Sequence, residues 1–255
     1  MMEEGFIAAE KHQSQVPALQ LLVALGFTPL SQEEALRLRC GRLRNVVLDD
    51  VLADQLMRIN RFTHRGREYS FDLEDAHEAM RRLKPTPDRM KGLRGTNQDI
   101  YDSLVLGTTI TKSIDGDSKS YSFRYVDWDK PENNVFHVTA EFSVERTASS
   151  QTKRCDIVAF VNGIPILVIE NKRPTESLKK ADSQLIGYQN EDNIPQLFHF
   201  AQLLVSMNRN SARYATVGTK SKFWAEWRDE EDTDEAIAPF ANHVLAAAEK
   251  DSIFS

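Results

Sequence analysis

Asp156, Glu170 and Lys172 are the residues of this chain best suited to chemistry. They flank a tight reversal: Arg154-Cys155-Asp156 leads into an apolar run, Asn162-Gly163 interrupts it, and a second apolar run ends in Ile169-Glu170-Asn171-Lys172. One residue separates Glu170 from Lys172, so in a strand their side chains share a face while Asn171 points the other way. Two carboxylates brought together hold a hard divalent cation such as Mg²⁺, with Mn²⁺ as a substitute, and leave coordination positions for water and phosphate. That equipment suits phosphodiester hydrolysis, in which the cation lowers the pKa of its water and stabilises charge on the scissile phosphate. Asp156 and Glu170 are then the metal ligands. Two carboxylates nearby favour the ammonium form of Lys172, which fits it to orient the attacking water rather than to act as a neutral base. The residue types alone leave a plainer reading open, with Asp156 leading into a turn and Glu170–Lys172 an ordinary ion pair at a strand end.

The elements that must position these groups are legible. Residues 156–161 and 164–169 are apolar and rich in β-branched side chains around an Asn-Gly pair, a strong hairpin signal. Both faces of each run are apolar, so the strands should be central and covered by helices. Register adds a constraint. A strict two-residue loop pairs Val161 with Ile164 and puts Asp156 and Glu170 on opposite faces. If Gly163 takes the left-handed position of a three-residue loop or a G1 bulge, the pairing shifts by one and Asp156 falls opposite Glu170. The bulged or three-residue form is expected.

Nearly the whole chain resembles the N-terminal nuclease region of the restriction (R, motor) subunit of type I restriction-modification enzymes, with a PD-(D/E)xK nuclease core. The resemblance rests on Asp156-Ile-Val-Ala-Phe-Val-Asn-Gly-Ile-Pro-Ile-Leu-Val-Ile-Glu170-Asn-Lys172, on Gln184-Leu-Ile-Gly-Tyr188 and on Asn193-Ile-Pro-Gln-Leu-Phe-His-Phe. It extends through Val46-Val-Leu-Asp-Asp-Val-Leu, Asn134-Val-Phe-His-Val-Thr-Ala-Glu-Phe and Tyr214-Ala-Thr-Val-Gly218. It implies Asp156 and Glu170 as metal-binding carboxylates, Lys172 as the catalytic lysine, and Gln184 with Tyr188 as a Gln-x-x-x-Tyr element. It also implies a Mg²⁺-dependent endonuclease domain acting on double-stranded DNA, a type I site-specific deoxyribonuclease partnered by methyltransferase (M) and specificity (S) subunits. The usual proline before the first aspartate is Cys155 here, a loss expected to be tolerated.

Gln184 and Tyr188 lie four apart on one face of a helix expected over about 176–189, where they could brace Lys172 or touch a backbone phosphate. Glu10 is a further acidic candidate, ahead of a helix expected from about Gln15 to Leu25 with Ser14 as N-cap and Gly26 as terminator.

The expected architecture is α/β: a mixed central sheet flanked by helices, restriction-endonuclease-like, in one domain over 1–255. A largely helical elaboration occupies about 32–106, and the nuclease core about 6–30 plus 119–228. Strands are expected at Lys119–Trp128, at Val135–Arg146 with a wet face of His137, Thr139, Glu141, Ser143 and Glu145, at Leu203–Met207, Tyr214–Gly218 and Phe223–Trp227. Helices are expected from Pro195 to about Ala201 and over Ile237–Ala248. Lys84-Pro-Thr-Pro-Asp and Ser113-Ile-Asp-Gly-Asp-Ser read as loops.

With 255 residues, 41% hydrophobic and 27% charged, the chain can bury one sizeable core. It has no apolar run long enough for a membrane span and no basic, apolar leader, so a cytoplasmic protein without membrane contact is expected. Its two cysteines, Cys40 and Cys155, are too few for a disulfide framework. A net charge of −6 predicts weak DNA binding by the module alone. Basic stretches at Arg37, Arg39, Arg42 and Arg44, at Arg58, Arg61, Arg65 and Arg67, and at Arg81, Arg82, Lys84, Arg89, Lys91 and Arg94 fit a DNA-facing surface or solvated helix faces equally. No Gly-x-x-x-x-Gly-Lys-Ser/Thr loop occurs, and Gly107-Thr-Thr-Ile-Thr-Lys112-Ser113 lacks the second glycine. ATP-driven translocation therefore belongs to parts of a longer polypeptide. The alternatives are a non-catalytic docking module and a stand-alone repair or resolvase-type nuclease of the same fold.

Overall fold

The computed structural model describes residues 15–86 and 91–228. Glu10, Ser14, Arg89 and the helix expected over 237–248 lie outside the described residues.

A mixed seven-stranded sheet forms the centre, flanked by helices. In spatial order its strands are β1 (Thr28–Leu30), β6 (Phe136–Glu145), β7 (Thr152–Val161), β8 (Ile164–Asn171), β9 (Leu203–Met207), β10 (Ala212–Ala215) and β11 (Ala225–Glu226). The β1–β6 and β8–β9 pairs are parallel and the rest antiparallel. Between the parallel strands β8 and β9 run α6 (Leu178–Tyr188) and α7 (Pro195–Phe200), the helical crossover that parallel neighbours require.

On one face lies α1 (Val16–Ala24), whose Ala18 and Leu22 pack on Val138, Ile157, Ala159, Ile169 and Val205. Gly26, at φ 98°, ends that helix as expected. Its N–H bonds Val23 O, and the N–H of Phe27 bonds Leu22 O, the Schellman pattern that satisfies the last carbonyls. The larger cluster on the other face joins Val158, Phe160, Val168 and Leu204 to α6, α7, α3 (Asp49–Ile59), α4 (Leu73–Leu83) and α5 (Gly92–Leu106).

Of residues 31–135, the described ones contribute no strand to the main sheet. They form α2 (Gln32–Leu38), α3, α4 and α5, and also two hairpins absent from the sequence reading: β2 (Arg61–His64) with β3 (Arg67–Ser70), and β4 (Thr108–Ile114) with β5 (Asp117–Phe123). The segment Ser113–Ser118, expected as a loop, is the tip of the second hairpin, with Ser113–Ser118 and Ile114–Asp117 paired and only Asp115 and Gly116 forming the turn. Asp115 and Gly116 take φ 52° and 78° there, matching Arg65 and Gly66 at 47° and 77° in the first. Gly107 opens β4, so the near-miss phosphate loop is a strand. The strand expected through Trp128 ends at Phe123 and pairs only with β4.

Two boundaries near the C-terminal end also differ. The strand expected at Tyr214–Gly218 is Ala212–Ala215, and that at Phe223–Trp227 is a 3₁₀ turn (Ser221–Phe223) followed by two strand residues. The wet face expected for β6 is only partly so: Thr139 and Glu141 are buried, at 1% and 8% exposure, while His137, Ser143 and Glu145 are half-buried.

Among the basic stretches, Arg39 is a core residue. It is 2% exposed, lies 4.2 Å from the Phe142 ring centroid and donates to the carbonyls of Ala35, Asn45 and Ser143. Burial pushes its guanidinium down to about 10. Arg37, Arg42, Arg44, Arg58 and Arg67 remain exposed.

Candidate active site

The tip of the β7–β8 hairpin is plugged into the helical layer. Asn162 and Gly163 take φ 50° and 82°, and Asn162, fully buried, donates to Tyr125 O and Asn134 Oδ1 and accepts from the N–H of Val135. A Cβ on Gly163 would lie 2.6 Å from Leu48 O, so only glycine fits.

The turn is therefore a strict two-residue one, with Val161 paired to Ile164, which corrects the expected three-residue loop or G1 bulge at Gly163. The register shift needed to bring the carboxylates together occurs further along. Phe160 pairs with Pro165 and Ala159 with Leu167, leaving Ile166 as the extra residue of a bulge. Pro165 has no N–H to give to the ladder, which is why the interruption falls there. Beyond the bulge Ile157 pairs with Ile169, and continuing that register sets Asp156 opposite Glu170.

Where the backbone ladder ends, a side chain takes over: the N–H of Asn171 donates to Asp156 Oδ2 at 2.7 Å. Glu170 is 1% exposed, its Oε1 3.1 Å from Lys172 Nζ, and its Oε2 is buried with no hydrogen-bond partner among the described residues. Burial, and after it the charge of Asp156, push the Glu170 carboxyl up to about 8, with Lys172 opposing. Asp156, Glu170 and Lys172 thus come together as anticipated. Cys155, beside them, is fully buried, and burial raises its thiol pKa well above the usual value, so it is held as a thiol.

Gln184 and Tyr188 meet on α6, Gln184 Nε2 donating to Tyr188 Oη at 2.7 Å. The Tyr188 hydroxyl donates in turn to the carbonyl of Arg154 at 3.1 Å. The bond this pair makes is thus to the β7 backbone two residues before Asp156. Burial keeps the Tyr188 phenol protonated.

Two contributors escaped sequence reasoning. Gln15, at the start of α1, donates from Nε2 to the carbonyl of Asp156 at 2.8 Å and to Glu141 Oε1 at 3.1 Å. Glu141 faces Asp156 across β6 and β7 and holds Arg154. A signal for Glu141 was available only as its place in the strand opposite Asp156.

The donor set fits a hard divalent cation. Two carboxyl groups face each other, one buried oxygen has no hydrogen-bond partner among the described residues, and a pair of acids in this position favours a cation that cancels their repulsion. Among the described residues no group of three or more His, Cys, Asp or Glu side chains could hold a metal, so water and phosphate oxygens would complete the shell.

A sequence model of the family described as type I restriction enzyme R protein N terminus matches residues 7–223. The chain belongs to this family. Type I restriction enzyme HindI endonuclease subunit of Haemophilus influenzae is 27% identical over 188 residues, 65% of this chain and 18% of that protein. A Methanocaldococcus jannaschii protein provisionally named type I restriction enzyme MjaIXP endonuclease subunit is 27% identical over 136 residues, 53% of this chain and 13% of its own length. The SauCOLORF180P endonuclease subunit of Staphylococcus aureus is 30% identical over 118 residues, 46% of this chain and 12% of that subunit. This R-subunit N-terminal chain therefore spans a small part of the length of the relatives it matches. Among the described residues no helix is long and apolar enough to cross a membrane.

Proposed function

We propose that this chain is the nuclease module of a type I restriction R subunit, hydrolysing phosphodiester bonds of double-stranded DNA with Mg²⁺ held by Asp156 and Glu170. The observation that carries the reading is Oε2 of Glu170, buried and without a hydrogen-bond partner among the described residues, on a carboxyl group facing Asp156 with Lys172 3.1 Å from its other oxygen. Ionising a buried carboxyl beside a second one is costly, and a cation coordinated there offsets that cost. When bound, Mg²⁺ supplies an acidified water and stabilises charge on the scissile phosphate.

The chain's own groups do the rest. Asp156 is oriented by the N–H of Asn171, which donates to its Oδ2. Lys172 orients the attacking water and offsets charge building on the phosphate oxygens. Gln184 and Tyr188 hold the strand that carries Asp156.

With a net charge of −6 the module depends on other parts of the enzyme to bring DNA to it. Methyltransferase and specificity subunits choosing the site, and an ATP-driven motor elsewhere in the polypeptide, fit that need. Incubation of the purified chain at high concentration with supercoiled plasmid and Mg²⁺ or Mn²⁺ tests the reading. Nicking by the wild type that is lost in Asp156→Ala and Lys172→Ala supports it. No nicking together with no metal binding supports the docking module instead.

A further inference from the structure

Strand β6 pairs with β7 in one continuous register from Phe136–Val161 to Glu145–Thr152, with a single gap where Glu141 faces Asp156. Glu141 takes φ 57°, a conformation that a non-glycine residue keeps only where its surroundings enforce it. The side chains change faces at this point. Val138 belongs to the smaller cluster and Phe142 and Val144 to the larger, although regular alternation would put all three on one face. On β7 the same switch separates Ile157 and Ala159 from Cys155.

The distortion buries the Glu141 carboxylate and gives it two partners, Gln15 Nε2 on Oε1 and Arg154 Nε, at 2.5 Å, on Oε2. The same Gln15 amide also binds the carbonyl of Asp156. Arg154 is therefore held twice, at its side chain by Glu141 and at its carbonyl by Tyr188. Yet its side chain stays 59% exposed. An arginine fastened through Nε presents its two Nη groups as a planar fork, which matches two phosphate oxygens. An ordinary surface ion pair needs neither a buried carboxylate nor a left-handed backbone to support it.

Resting on the nuclease reading above, we propose that Arg154 is a phosphate clamp that grips the DNA backbone beside the Asp156–Glu170 pair, with Glu141 as the residue that positions it. In an acidic chain a fixed local cation is the means of bringing a polyanion to two carboxylates.

Anisotropy of a short labelled duplex in Ca²⁺ buffer, titrated across salt, tests this alongside calorimetric Mg²⁺ binding and thermal melting. Arg154→Ala is expected to weaken duplex binding about 10-fold or more and to lower the slope of log K against log salt by about 0.9. Arg154→Lys should restore the slope but only part of the affinity. Glu141→Gln makes the site more positive, so simple electrostatics predicts tighter binding, whereas loss of the clamp's support predicts weaker binding. Wild-type affinity and slope in Arg154→Ala, or tighter binding by Glu141→Gln, overturns the clamp. The Mg²⁺ titration judges the nuclease reading separately: a wild type that binds no Mg²⁺ overturns that reading while the salt slopes still decide the role of Arg154.

Discussion

The N–H of Asn171 donates to Asp156 Oδ2 at 2.7 Å, so the strand that carries Glu170 also fixes the carboxylate facing it. The two acids are brought level by the extra residue Ile166 and held level by this bond. Sliding β8 by one residue would turn Glu170 to the face of Ile157 and Ala159 and carry the Asn171 N–H away.

Inserting one valine between Val168 and Ile169 should produce that slide, because it moves Glu170 one position past Asp156 while the bulge at Ile166 stays in place. The expected result is loss of detectable Mg²⁺ binding in calorimetry with the circular dichroism of the sheet retained, because the buried turn at Asn162-Gly163 anchors the hairpin tip. Wild-type metal affinity in the insertion variant would mean that register does not assemble the site.

The raised carboxyl of Glu170 sets a pH dependence. Its folded value of about 8 lies above the ordinary 4.5, so between those values the folded chain binds more protons than the unfolded one. Stability of the metal-free protein then falls as pH rises through that window and levels off above it. Unfolding free energies from urea titrations in chelator at about pH 5.5 and about pH 8.5 should differ by an amount on the order of a few kcal/mol, the midpoints moving with them, and Glu170→Gln should flatten the difference. A pH-independent midpoint in the wild type would refute the assignment.

Tyr188→Phe removes the hydroxyl that links Gln184 to the Arg154 carbonyl, leaving an amide and a carbonyl unpaired at a cost of about 1–3 kcal/mol. Because the two side chains act in series, Gln184→Ala combined with Tyr188→Phe should cost less than the sum of the single changes. Strict additivity in chemical denaturation would show that Gln184 works elsewhere.

Arg39 separates structure from DNA contact among the basic stretches. Arg39→Ala removes a buried donor shared by the carbonyls of Ala35, Asn45 and Ser143 and strips a cation from Phe142, so it should destabilise the chain by about 3 kcal/mol or more. The salt slope of duplex binding should not change. A lowered slope at full stability would place Arg39 on the DNA.

The part of the site that could be read from residues alone was the part set by local chemistry. Asn-Gly between β-branched runs demands a hairpin, and the two-residue period puts Glu170 and Lys172 together. Gly163, able to take positive φ, points to a bulge at the turn, whereas the bulge falls beside Pro165, which cannot donate to a ladder. Polar alternation along β6 predicts water around Glu141. In the fold it is buried and held by Gln15 and Arg154, partners 126 and 13 positions away in the chain. Asp115-Gly116 carries the same turn signal as Asn162-Gly163, but the strands it joins are rich in Ser, Thr and Lys rather than apolar, so the hairpin is not legible from hydrophobic runs.

Calorimetric titration of Mg²⁺, with Mn²⁺ in parallel, into the wild type, Asp156→Asn and Glu170→Gln tests the central claim most directly. The account predicts saturable binding by the wild type, weakened about 10-fold or more by either substitution while melting temperatures stay at or above the wild-type value for Glu170→Gln. Equal metal affinity in all three proteins, or none in the wild type, would contradict it.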